Sequence, residues 1–190
     1  MQIPQPKVLS VNLESDDSAP AIDVEMKNAH RMEALRPRMR AHVDATFEAS
    51  PVARVMRRDW NIVSSKLYMH ALDPAYRKKI EADLVEMSWQ IDDTADQVRS
   101  MPFHRLDRQW LRARRIQAQV IHPMTAAWWR SMMALDEAFA LLICAEKAGM
   151  ITRRKRISIL LPCQLSYMAF KATAMKTEFK SADELINDSV

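Results

Sequence analysis

Glycine constrains this chain most, because there is one among 190 residues, Gly149. Glycine takes φ > 0 without steric cost, and tight β-hairpins lean on that freedom. A turn-rich all-β fold is therefore disfavoured. Phosphate-cradling loops of the Walker A or GxGxxG type need clustered glycines, so neither is present. The 14 methionines and scarce β-branched residues point to a mostly helical chain. With 48% apolar and 27% charged residues, the composition is that of an ordinary globular protein of one domain.

The opening MQIPQPKVLS lacks the charged-then-apolar order of a signal peptide. The longest uncharged apolar run, Ala138 to Ala145, falls far short of the ~20 residues that span a bilayer. The expected compartment is the cytoplasm, with no membrane partner. Cys144 and Cys163 sit in apolar surroundings without CxxC spacing and read as reduced packing residues.

Residues 1–20 read as a flexible arm bracketed by Pro4, Pro6 and Pro20, and residues 21–190 as a single, mostly helical domain. Within the arm, Leu9, Val11 and Leu13 alternate with Ser10 and Asn12 as in a short strand. Ile22, Val24 and Met26 alternate with Asp23, Glu25 and Lys27, a better strand. His30 to Arg36 predicts a short helix that Pro37 interrupts and that resumes to about Phe47. Ser50-Pro51 predicts the next helix start, with the serine as cap. Asp73-Pro74 predicts another. Beyond it Ile80, Leu84, Met87, Ile91, Ala95 and Val98 form one apolar face, and Glu81, Asp83, Glu86, Asp92, Asp93 and Asp96 the acidic outer one, ending near Ser100. Ile116, Ala118 and Val120 alternate with glutamines as a strand. Thr125 is the expected cap of a helix to about Ala148, whose apolar residues, Trp128 and Trp129 among them, cover well over half its circumference. Such a helix is central, and Gly149 ends it as a left-handed stop with Met150 folded back. Residues from Thr152 on read either as helices with a kink at Pro162 or as a strand, Ile157 to Leu161, followed by two helices in the order of a ribbon-helix-helix module; the helical reading is preferred.

The chemistry-bearing residues are sparse. None of the five histidines lies at metal-ligand spacing or beside a cysteine pair. No serine stands in a GxSxG turn, and no cysteine is close in sequence to an activating histidine. The expectations are no enzyme, no cofactor, no metal and no small-molecule substrate. The basic clusters say more. Arg112, Arg114 and Arg115 form one, and Arg153, Arg154, Lys155 and Arg156 another. A third run comprises Arg36, Arg38, Arg40, Arg54, Arg57 and Arg58. Such side chains neutralise phosphates, the main source of nonspecific nucleic-acid affinity.

One order of elements carries a family likeness: the strand RIQAQVIHP, the helix TAAWWRSMMALDEAFALLICAEKAGMI with its central Leu-Asp-Glu, then the basic TRRKRISILL. It resembles the AcaB-like family, encoded on conjugative plasmids and integrating conjugative elements. The upstream AIDVEMKNAHRMEAL is similar to that family's first strand and short helix, and the likeness runs over roughly residues 20–175. The resemblance implies a transcriptional regulator of conjugative transfer genes that binds double-stranded DNA as a homodimer through a ribbon-helix-helix-like element. If the ribbon is N-terminal, Ser10 and Asn12 suit base reading better than Asp23 and Glu25, whose carboxylates repel phosphate.

The expected fold class is α+β, mostly helical, with a small antiparallel sheet of Ile22–Lys27 and Arg115–Ile121 packed on the central apolar helix. The expected DNA contacts are Arg112, Arg114, Arg115, Arg153, Arg154, Lys155, Arg156, Ser10 and Asn12. A non-DNA-binding accessory protein of conjugation is the alternative.

Overall fold

The computed structural model describes residues 20–103 and 106–177. The expected arm, including Ser10 and Asn12, and the expected short helix after Ser181 lie outside them. The described chain runs β1 (Ile22–Val24), α1 (His30–Glu33), β2 (Ala41–Phe47), α2 (Ser50–His70), α3 (Pro74–Arg99), β3 (Arg114–Val120), α4 (Pro123–Lys147) and α5 (Arg153–Met175). It is a mostly helical α+β fold, as its composition implies.

The sheet corrects two expectations. Its order is β1-β3-β2, with β3 central. β1 does pair with β3, but in parallel, Ile22 opposite Arg114. The antiparallel neighbour is β2, which the sequence reading made a helix. Alternation is present there, with Val43, Ala45 and Phe47 turned inward and His42, Asp44 and Thr46 outward. The inward alanine and the short span hide it from a helical template, and seven paired residues on β3 override local propensity.

The sheet's inner face packs on α2 and α4, and α3 lies against α4 and α5. An aromatic cluster joins the layers. Trp60 of α2 stacks on Trp128 of α4 at 4.8 Å between ring centroids, and Trp129 meets both Trp60 and Phe47 edge-on. Trp128 also contacts Tyr167 and Phe170 of α5. Cys144 and Cys163 are buried free thiols whose pKa burial raises. Among the described residues, no helix is long and apolar enough to cross a membrane.

Helix ends follow local chemistry, with some reassignment. The α3 start is as expected: Asp73 accepts from the Ala75 and Tyr76 amides. At α2 the cap position is Ala49, not Ser50, and no side chain of the segment itself caps it. The Asp136 carboxylate of α4 instead accepts from the Glu48 and Ala49 amides at 2.7 and 2.9 Å. α4 begins two residues before Thr125. His122 caps it through Nδ1, which accepts from the Met124 amide, while Thr125 is the third residue of a capping box. That acceptor role needs a neutral ring, and burial lowers the His122 pKa accordingly. α5 is one helix, so Ile157 to Leu161 is no strand and the C-terminal ribbon-helix-helix reading falls. Thr152 caps it by accepting from the Lys155 amide, and Pro162 is carried on its exposed side.

Gly149 has φ +74° and closes α4 with the paired bonds Gly149 N–H to Glu146 O and Met150 N–H to Ala145 O. Met150 is half exposed, and Ile151 makes the apolar contact expected of it. A Cβ at Gly149 would meet nothing within 4 Å. Gly149→Val is therefore expected to cost only the left-handed strain, about 1–2 kcal/mol. Urea denaturation checks it; an unchanged midpoint would show that the backbone relaxes freely there.

Candidate nucleic-acid interface

The expected basic residues separate into those spent inside the fold and those left facing solvent. Arg115 lies on the outer face of the sheet and forks onto Asp44, at 3.1 and 3.0 Å from Nε and 2.5 Å from Nη2. These bonds hold the Asp44 carboxyl below its usual range and raise the Arg115 guanidinium. Arg156 is mostly buried, ion-paired to Glu146 and set over the Phe139 ring. Arg114 is half buried, opposite Phe47 on the inner side of the sheet. These three are poor phosphate ligands.

Arg112, Arg153, Arg154 and Lys155 are exposed. The loop before β3 lays Trp110, 52% exposed, beneath Lys147 at the end of α4, with Nζ 5.9 Å from the ring centroid. Arg112 follows two residues later. The Arg156–Glu146 pair fastens the start of α5 to the same end of α4. The end of α4 thus carries Lys147 beside an exposed tryptophan, with Arg112 two residues from that tryptophan in sequence and Arg153, Arg154 and Lys155 opening the helix that follows. Of the nearby acids, Glu48 and Glu146 are taken by Arg108 and Arg156, while Asp107 is exposed and accepts from Gln109.

Helix electrostatics make the α5 cluster informative. Cations near a helix N-terminus oppose the macrodipole and cost up to about 1 kcal/mol each at the surface. α5 opens on Arg-Arg-Lys-Arg with no acid in its first turn, so folding explains Arg156, through Glu146, but not Arg153, Arg154 and Lys155. Half of the third basic run is structural, while Arg36, Arg38 and Arg54 are exposed. Arg40 donates to the Met32 and Leu35 carbonyls, Arg57 to that of Glu25, and Arg58 pairs with Asp59. Sequence reasoning missed Trp110 and Lys147. The alternation Arg108-Gln109-Trp110-Leu111-Arg112, an aromatic set between arginines, was the available signal. The cation–π pairing with a residue 37 positions on was not.

No family model and no curated protein matches this chain. Among solved structures, the chain is similar to the crystal structure of selenomethionine-containing AcaB from uropathogenic E. coli, with a TM-score of 0.56 at 11% identity, covering 72% of this chain and 78% of that one. The fold resembles that of AcaB. At 11% identity the likeness lies in the arrangement of elements, and no residue role transfers through it.

Proposed function

We propose that this chain binds double-stranded DNA and acts in the cytoplasm as a transcriptional regulator of conjugative transfer genes, with no enzymatic step. The observation that carries the reading is the corner at the end of α4. Lys147 meets an exposed tryptophan there, Arg112 is two residues from it, and Arg153, Arg154 and Lys155 open the next helix although its dipole disfavours them. The AcaB-like pattern in the sequence and the AcaB-like fold support the same direction. In this reading Arg112, Lys147, Arg153, Arg154 and Lys155 contact phosphates. Arg114, Arg115 and Arg156 hold the corner and the sheet in shape.

Charge reversal of Arg153, Arg154 and Lys155 together is expected to lower DNA affinity by at least about tenfold. It should also flatten the plot of log affinity against log salt by about two to three. Arg156 is left intact because its loss would unseat α5 from Glu146. Unchanged affinity and slope in the folded triple variant would remove this corner as the footprint. Weak, salt-insensitive retention of the parent chain itself would favour the accessory-protein reading.

A dimer remains part of the proposal, but β1 does not require one. A ribbon needs a strand from each chain, and β1 and β2 both pair with β3 within one chain.

A further inference from the structure

Two helices present apolar surface to solvent with opposite charge beside it. On α3, Val85 and Trp89 are 68% and 61% exposed. The helical neighbours of Trp89 are Val85, Glu86, Asp92 and Asp93, all exposed. From residue 81 to 96 α3 holds six acids and no Lys or Arg. On α5, Ile157, Leu161, Leu165 and Met168 recur at steps of three or four, each 45–50% exposed. Arg153 and Arg154 stand one turn before Ile157, and α5 contains no acid at all.

We propose that these faces bind each other between two copies of the chain, the acidic Trp89 face of α3 receiving the basic Leu161 stripe of α5 from the next copy. The two faces complement each other in charge as well as in apolar area. Along α3 the apolar pair comes first and the acids Asp92 and Asp93 one turn later. Along α5 the cations come first and the apolar stripe one turn later. Laid antiparallel, the helices set Val85 opposite Leu161, Trp89 opposite Ile157, and Asp92 and Asp93 opposite Arg153 and Arg154. In that direction apolar area and charge match together.

The contact cannot form within one copy. α3 and α5 already touch through Cys163, which donates to the Gln90 carbonyl and Thr94 hydroxyl. Val85 and Trp89 lie around α3 from that seam, and the stripe lies on the far side of α5 from Cys163. Each copy therefore offers one α3 face and one α5 face on different sides. Such an interface is heterologous and propagates as a ring or chain. It shares Arg153 and Arg154 with the proposed DNA contact, so DNA and a second copy compete for these two side chains, whereas Trp89 and Leu161 belong to the self-association alone.

Sedimentation of the full chain at rising micromolar concentration is expected to show species larger than the monomer that dissociate as salt rises from about 0.1 to 0.5 M. Trp89→Glu and Leu161→Glu, both exposed positions, should each weaken self-association by at least about tenfold with an unchanged circular dichroism spectrum. Mixing the two variants should restore a 1:1 complex that grows no further, because one contributes an intact α5 and the other an intact α3. A chain that stays monomeric at every concentration overturns the proposal. So does a mixture that fails to pair, or a dimer lost with Leu161→Glu but kept with Trp89→Glu, which would be a symmetric α5 pair.

Discussion

Replacing Trp128 with alanine is expected to destabilise the fold by about 3–5 kcal/mol, the range for emptying a large aromatic site. Trp128 is fully buried and is the ring on which three helices meet: Trp60 of α2 on one side, Tyr167 and Phe170 of α5 on the other. The hole would open where α2, α4 and α5 join, so no single element can close it. Trp128→Phe is expected to cost far less. Among the described residues the buried indole N–H has no hydrogen-bond partner, and phenylalanine removes that donor while keeping a ring in the stack. Urea midpoints at constant m for both variants check the pair. Equal losses would mean that the indole's extra volume, not the existence of a ring, holds the helices together.

The same tryptophan shows what the sequence made legible. Trp128 and Trp129 lie in a helix apolar nearly all round, and that pattern alone placed them at the centre. The α3 periodicity and its Asp73-Pro74 start were equally plain, because an amphipathic helix writes its buried face into one segment. β2 was not plain. Its inward residues include the small Val43 and Ala45, and its identity as a strand depends on a partner seventy residues away. The direction of β1 was hidden for the same reason: three residues carry no mark of parallel or antiparallel pairing. At the candidate interface the sequence supplied the cations but not their fates. Arg115 and Arg156 looked equivalent to Arg112 and Arg154 until Asp44, 71 residues from Arg115, and Glu146, 10 residues before Arg156, claimed them. Composition counts charges, and only tertiary pairing decides which remain available to a ligand.

That distinction also governs the two buried aspartates, which should give the protein opposite pH responses. Asp59 of α2 is 2% exposed and receives Arg58, Lys171 and the Tyr167 hydroxyl at 2.7 to 3.0 Å. Burial pushes its carboxyl up, but these donors outweigh burial and hold the pKa below the usual 3.8. Its stabilisation is full above the unfolded value and lost as pH falls through the folded one. Asp136 has two backbone amides and no cation. Burial dominates and pushes its pKa up to about 7. The fold thus favours the protonated acid, and stability falls as pH rises from about 4 to about 7, by at most about 4 kcal/mol at 1.36 kcal/mol per pH unit. The expected profile peaks in weakly acidic solution, with an acid limb set by Asp59 and a neutral limb set by Asp136. Asp136→Asn should flatten the neutral limb. At about pH 5 it should also cost about 1–3 kcal/mol, because its NH2 group faces one of the amides that the carboxyl satisfied. Asp59→Asn should remove the acid limb and cost toward the lower end of about 3–5 kcal/mol, since Arg58 reaches solvent when its partner is gone. Urea midpoints for the parent and both variants between about pH 3 and 9 test this. A parent whose stability is level from about pH 4 to 7 would show that the Glu48 and Ala49 amides hold Asp136 ionised against its burial.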